Sequence, residues 1–211
     1  MNQHEVNYRG ANIAEKMKAH KLFVCGAGAL GSNLIDILSR QGFESISVID
    51  MDRVEKHNTS TQIYSLKDVG LMKVNQLKAI VYNNTKSVLS VFGKELDNTN
   101  AQRMFQGHDL IIDVFDNWKS RAIVKVICEK YELPCVHAGM SDSGFSEIKW
   151  NNNYIIPKVE TEQKDICDYP LAANLVHLTV SLLSEIIVQY VSFGKQFNRE
   201  ITLKDISVHK V

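Results

Sequence analysis

Residues 21–52 read KLFVCGAGALGSNLIDILSRQGFESISVIDMD, an apolar strand pattern, a glycine turn, a helix pattern and a second apolar strand pattern. Gly26 allows the tight turn, Gly28 lets backbone N–H groups approach a phosphate, and Gly31 lets the helix pack on the strand. Asp50 ends the second strand about 20 residues beyond the turn, where a carboxylate can accept hydrogen bonds from ribose hydroxyls. Together these features predict a nucleotide site, because a turn that served only close packing would leave Asp50 unexplained.

Composition favours one folded domain without nucleic-acid binding. The 211 residues suit a single α/β domain over residues 1–211, without an interdomain linker. Lys plus Arg equals Asp plus Glu at 24 each, so the net charge does not steer the chain toward nucleic acid or anionic lipid.

Neither the N-terminus nor any other stretch predicts a membrane segment. The opening MNQHEVNYRG lacks the apolar core of a secretory signal. The long apolar stretch 172–191 is interrupted by Asn174, His177, Glu185 and Gln189, which favours a core or subunit-interface helix over a membrane span. We therefore expect a cytoplasmic protein with no membrane partner.

Apolar periodicity predicts strands that alternate with helices. The predicted strands are 22–25, 45–50, 88–92, 109–114 and 135–138, and the predicted helices are 11–18, 30–41, 67–83, 98–105 and 119–131. Short strands at 145–150 and 153–156, the helix at 172–191 and a last strand at 201–208 follow. This order predicts a Rossmann-like, doubly wound, mostly parallel sheet with an antiparallel C-terminal extension.

Four further motifs follow the glycine turn. They are DMDRVEKHNTSTQ from Asp50, DVGLMK ending in Lys73, IIDVFDN ending in Asn117, and CDYP from Cys167. In this order and spacing the chain resembles, over roughly residues 5–193, the ubiquitin-activating-enzyme-like superfamily, the ThiF and MoeB type of adenylating enzyme.

The resemblance implies an ATP- and Mg²⁺-dependent enzyme that adenylates the C-terminal carboxylate of a ubiquitin-like or sulfur-carrier protein. It also implies a homodimer, or a heterodimer with a related subunit, in which Arg9 reaches the ATP of the neighbouring subunit. The alternative is an Arg9 that is only a surface residue. The nucleotide contacts that it implies are Gly26, Gly28, Leu30, Gly31, Asp50, Asp52, Asn58, Gln62, Lys73 and Asp116.

The chemistry of adenylation explains the choice of side chains. Carboxylate and ATP are both anions, so cations and hydrogen-bond donors must offset their charge. Lys73 supplies a point charge, Asn58 and Gln62 can donate neutral hydrogen bonds, and Asp116 could hold Mg²⁺. The structural alternatives are a solvated Lys73 and an Asp116-Asn117 pair that only caps the following helix.

Thr61 departs from the family pattern. Related enzymes usually place an arginine three residues after the asparagine, and a hydroxyl cannot replace that charge. The alternatives are therefore compensation by another cation, or an ATP-binding pseudoenzyme or regulatory subunit of the same fold. An NAD-dependent oxidoreductase shares the glycine turn and Asp50 but leaves Lys73 and Asp116 unexplained.

The four cysteines are scattered without a Cys-x-x-Cys pair, which argues against disulfides and structural zinc. Cys25 and Cys128 fall on apolar faces and are expected in the core. Cys167 precedes the long apolar helix, as the catalytic cysteine does in activating enzymes of the autophagy and UFM types, which implies a thioester there. The alternative is an unreactive side chain in a crossover loop.

Overall fold

The computed structural model describes residues 2–156 and 171–211. Within these residues, eight strands form one sheet in the order β3-β2-β1-β4-β5-β6-β7-β8. They are β1 (Lys21–Cys25), β2 (Ser45–Ile49), β3 (Ser90–Phe92), β4 (Leu110–Asp113), β5 (Cys135–Met140), β6 (Phe145–Trp150), β7 (Arg199–Thr202) and β8 (Ser207–Lys210). The first five pair in parallel and the last three add on antiparallel, which confirms the predicted fold class.

Helices cover both faces of this sheet. They are α1 (Gln3–Arg9), α2 (Ala11–Ala19), α3 (Ala29–Gln41), α4 (Lys73–Thr85), α5 (Ala101–Phe105), α6 (Trp118–Lys130) and α7 (Ala173–Phe193). The apolar sides of α3, α4 and α7 share one core cluster, and those of α5 and α6 share a second with residues from the opposite side of β1 and β4. This division is the doubly wound arrangement expected for alternating strands and helices.

The strand register brings the candidate site residues to one edge. Cys25, the last residue of β1, pairs with Ile49 on β2 and with Asp113 on β4. The loops that follow these three strands therefore leave the sheet side by side. Strands β2 and β3 lie on one side of β1, and β4 and β5 lie on the other. Doubly wound sheets bind ligands where the strand order reverses in this way.

Three predicted elements were wrong in detail. The helix expected at 67–83 begins at Lys73, because Gly70 takes φ +86° after the short 3₁₀ turn Leu66–Asp68. Residues 153–156 form no strand, because Asn153 ends the 3₁₀ turn Asn151–Asn153 and residues 154–156 have no regular structure. The last predicted strand is a hairpin of β7 and β8.

Helix α7 is long and apolar enough to cross a membrane, by length and composition, and it alone meets that test within 2–156 and 171–211. Its apolar stretch is 61% buried inside the fold, where it packs on α3 and the sheet. This packing matches the expected core helix.

Candidate nucleotide-binding site

The glycine turn has three glycines with different structural demands. Gly26 takes φ +110°, and a Cβ on it would lie 3.2 Å from the carbonyl oxygen of Val114. A Cβ on Gly31 would lie 2.0 Å from the carbonyl oxygen of Gly26, so helix and turn could not approach as they do. Gly28, in contrast, has nothing within 4 Å of such an atom. The space above Gly28 is therefore open at the start of α3, as phosphate approach requires.

The N-terminus of α3 presents backbone donors to this space. The first intrahelical bond runs from Ser32 N–H to Gly28 O at 3.0 Å, so the N–H groups of residues 29–31 precede the helical ladder. Leu30 lies among them, with its side chain buried in the core. The expected contribution of Leu30 is thus its backbone N–H.

Asp50 holds the glycine turn as well as facing the site. One carboxylate oxygen accepts the Ala27 N–H at 2.7 Å and the other accepts the Asp52 N–H at 2.8 Å. Burial raises the pKa of Asp50, against the opposing effects of the Lys73 charge and these two N–H groups. An ionised carboxylate offers about four lone-pair positions, so two remain for a ribose.

The segment after Asp50 is tied to the same turn. Tyr64 donates its hydroxyl to Ala27 O at 2.8 Å, and Asn33 donates its amide to Thr61 O at 2.8 Å. Sequence reasoning missed both residues. The available signals were an aromatic residue within a polar stretch and an amide one turn into α3.

The two amide side chains predicted as donors belong to the segment that side chains of α3 hold through the backbone of Thr61 and Ile63. Asn58 is buried, and its amide oxygen accepts the Glu55 N–H at 2.8 Å, which directs the NH₂ group elsewhere. Gln62 has a buried amide oxygen without a hydrogen-bond partner in the described part of the chain. This oxygen could accept a hydrogen bond from a hydroxyl or amino group of a nucleotide.

Lys73 is the first residue of α4 and is buried, although it is charged. Its side chain is 9% exposed, and its ammonium lies 3.0 Å from Asp52 Oδ2, whose side chain is 55% exposed. The Lys73 backbone N–H also donates to Asp52 O at 2.9 Å. The chain thus holds a cation at the same strand edge as Asp50, next to a carboxylate that water can reach.

Asp116 lies in the loop after β4 and is exposed. This loop contacts the glycine turn, since a Cβ on Gly26 would lie 3.4 Å from the Phe115 ring. Asn117 is the residue that caps α6, because its side chain accepts the Ser120 N–H at 2.9 Å. The cap therefore uses Asn117 and not Asp116, whereas the nearby Asp113 is fully buried and bonded to His137.

Residues 2–156 and 171–211 contain no cluster of three or more His, Cys, Asp or Glu that could hold a metal ion. A lone exposed carboxylate still fits Mg²⁺, which is commonly held by one or two carboxylates together with substrate phosphates and water. Asp116 would be that ligand, with the phosphates supplied by the nucleotide.

Arg9, one of the predicted residues, pairs with α7 of its own chain and not with this edge. Arg9 makes a bidentate ion pair with Glu185 on α7, with guanidinium nitrogens 2.7 and 3.2 Å from the two carboxylate oxygens. Arg9 also donates to Glu5. Its role in a neighbouring subunit stays a prediction. Cys167 lies outside the described residues. The described cysteines, Cys25, Cys128 and Cys135, are all buried.

Known proteins are similar to this chain in sequence. A family model described as the ThiF family matches residues 2–153. The chain is 33% identical over 125 residues to the probable molybdopterin-synthase adenylyltransferase of Gracilaria tenuistipitata var. liui, covering 56% of this chain and 34% of that protein. It is 30% identical over 128 residues to the SAMP-activating enzyme E1 of Haloferax volcanii, covering 59% and 47%.

A third relative has a different activity in its name. The tRNA threonylcarbamoyladenosine dehydratase of Escherichia coli is 34% identical over 119 residues, covering 55% of this chain and 44% of that protein. The chain thus spans less than half the length of these three curated relatives.

Solved structures share the whole fold. The crystal structure of E. coli MccB with ATP superposes with a TM-score of 0.80 at 19% identity, covering 99% of this chain and 69% of that one. The family model, which covers residues 2–153, and the shared fold lead to one conclusion: the chain belongs to the ThiF family.

Proposed function

We propose that this chain uses ATP to adenylate the C-terminal carboxylate of a ubiquitin-like or sulfur-carrier protein. The observation that carries the proposal is the buried ammonium of Lys73, held beside Asp50 and Asp52 at the strand edge. A dinucleotide oxidoreductase has no evident use for this cation. The names of relatives as adenylyltransferases and activating enzymes support the same reaction.

In the proposed reaction a carboxylate oxygen attacks the α-phosphorus of ATP and pyrophosphate leaves. The positive charge of Lys73 offsets negative charge that accumulates on the phosphates, and the open backbone at Gly28 admits them. Asp50 accepts from the ribose. Asp116 would hold Mg²⁺, which supplies further positive charge when it is bound.

The partner and the later steps are part of the proposal. Cys167 would take the acyl group from the adenylate as a thioester, with release of AMP. A dimer would bring Arg9 of one subunit to the ATP of the other, which requires Arg9 to exchange its bonds to Glu185.

One observation favours a second candidate, an ATP-binding subunit without catalytic activity. Thr61 replaces the usual arginine, and its position is fixed by the bond from Asn33 to its carbonyl oxygen. The exposed Arg53 and Lys56 of the same segment are the cations available to compensate. The guanidinium of Arg53 already donates to Gly70 O at 2.8 Å.

The test is ATP–pyrophosphate exchange with purified candidate carrier proteins. We expect Mg²⁺-dependent exchange only when a carrier with a free C-terminal carboxylate is present. The matched control is the same carrier with a C-terminal carboxamide, which cannot attack phosphorus and should give none. ATP binding without exchange would support the inactive subunit, and a rise in melting temperature with NAD alone would contradict both candidates.

A further inference from the structure

A buried polar network lies directly behind the loop that carries Asp116. Asp113 ends β4 and His137 is its register partner on β5, and both side chains are fully buried. Arg121 on α6 and Tyr154 complete the network, with a hydrogen bond of 2.7 Å from the guanidinium to the phenol oxygen. Such a costly set of buried charges calls for a reason beyond core packing.

Each ring nitrogen of His137 has a hydrogen-bond partner. Nδ1 lies 2.8 Å from Asp113 Oδ2, and Nε2 lies 2.6 Å from the amide oxygen of Asn151. The ring also stacks on Tyr154, with centroids 4.0 Å apart and planes 12° from parallel. These contacts fix the ring in its plane and direct the Nδ1–H at Asp113.

Asp113 connects His137 to the loop after β4. Its second oxygen accepts the N–H of Phe115 at 3.1 Å, while Arg121 donates to the carbonyl oxygen of Phe115 at 2.5 Å. The backbone on both sides of Phe115 is therefore held from within the core. Asp116 is the next residue, and the Phe115 ring borders Gly26 of the glycine turn.

We propose that His137 is a positioning residue, which acts through Asp113 to hold Phe115 and thereby sets the place of Asp116 at the nucleotide edge. The Nδ1 contact carries this effect, whereas the Nε2 contact only anchors the ring to Asn151. The effect on Phe115 is a property of the chain alone. The consequence for Mg²⁺ and ATP rests on the proposed function.

Two substitutions separate the contacts. The amide nitrogen of Asn can take the place of Nδ1, and that of Gln the place of Nε2. His137→Asn therefore keeps a donor for Asp113, and His137→Gln keeps only the link to Asn151. The matched control is His108→Gln, because His108 is a partly buried histidine at the opposite edge of the sheet, bonded to Ser47 at 2.9 Å.

Amide hydrogen exchange at Phe115, measured without nucleotide, is the first readout. We expect His137→Gln to speed exchange at Phe115 by about tenfold or more relative to core amides of β1, as for the loss of a hydrogen bond involving a charged group. His137→Asn and His108→Gln should leave the relative protection near that of the wild type. Equal protection in the two His137 variants would overturn the proposal.

The second readout is the Mg²⁺ concentration that half-saturates ATP–pyrophosphate exchange. His137→Gln should raise it several-fold while His137→Asn does not. If His137→Gln changes Phe115 exchange but the wild type does not use ATP, the proposed function is contradicted. The positioning role of His137 is then still supported. If His137→Gln fails to fold, Asp113→Ala replaces it, since it removes the acceptor oxygens of both His137 and Phe115; unchanged Phe115 exchange there would also overturn the proposal.

Discussion

The carboxylate of Asp50 accepts the backbone N–H of Ala27 at 2.7 Å, so the residue expected to bind ribose also shapes the glycine turn. The turn and the acid that ends β2 thus form one unit. Changes at either residue should alter both folding and nucleotide binding.

Asp50 should give stability and ATP affinity opposite dependences on pH. Its pKa is raised by burial, so the folded carboxyl holds its proton more tightly than the unfolded one. Its contribution to the free energy of unfolding therefore falls as pH rises from the ordinary carboxyl range through the raised pKa, while ribose binding gains the ionised acceptor. Denaturation and ATP titrations of wild type and Asp50→Asn should show this difference. Curves that change with pH in parallel would contradict it.

Substitutions at two glycines of the turn, Gly31 and Gly28, should affect stability and ATP binding separately. Gly31→Ala should lower the free energy of unfolding by at least about 2 kcal/mol, because the new Cβ meets Gly26 O. Gly28→Ala has open space and φ −80°, so its stability should stay within about 0.5 kcal/mol while ATP binding weakens. Chemical denaturation and calorimetric titration measure the pair. If the folded Gly28→Ala variant binds ATP normally, the phosphate does not bind next to Gly28.

Lys73→Ala should slow ATP–pyrophosphate exchange by at least about a hundredfold and weaken ATP binding less, because the cation stabilises the charge of the reacting phosphates. The control is Lys78→Ala, since Lys78 is an exposed lysine on the same helix. The two substitutions remove the same charge from α4. Equal exchange rates in the two variants would take Lys73 out of the mechanism.

Thr61→Arg tests the departure from the family pattern. If the missing guanidinium limits the rate, the variant should raise exchange by about tenfold or more. Ser60→Arg adds the same charge at the neighbouring exposed position and should not. The rate of exchange at saturating ATP is the measurement. An unchanged rate in Thr61→Arg would mean that another cation already serves the phosphates.

Cys167 can be tested against three internal controls. Burial raises the pKa of the Cys25 and Cys135 thiols well above the ordinary value, and Cys128 is buried too. Iodoacetamide should therefore label Cys167 first in the folded protein, as peptide mass spectrometry will show. Cys167→Ala should keep exchange and lose any thiol-sensitive conjugate with the carrier. A conjugate that persists in this variant would exclude the thioester.

The sequence predicted what depends on local spacing. Short sequence patterns predict the glycine turn, the role of Asp50 at the end of a strand, and the alternation of strands and helices. The start of α4 was missed because Val69 and Leu71 continue the helical spacing of apolar residues. Both are exposed, at 43% and 45%, in a turn set by the positive φ of Gly70.

The contacts that support the candidate site could not be read from spacing. Tyr64 meets Ala27 across 37 positions, and Asp113 meets His137 only through the register of β4 on β5. Such pairs depend on how whole elements are aligned. The sequence therefore indicated the candidate residues at the strand edge better than the residues behind them.

The packing of α3 on α7 also determines when the chain can fold during synthesis. Leu34, Leu38 and their neighbours on α3 belong to the same core cluster as Val180 and Ile187 on α7. A ribosome makes α3 early and α7 only after the whole parallel part of the sheet. The part of the α3 surface that α7 covers therefore stays exposed in the growing chain until α7 emerges, and chaperones have that interval in which to bind it.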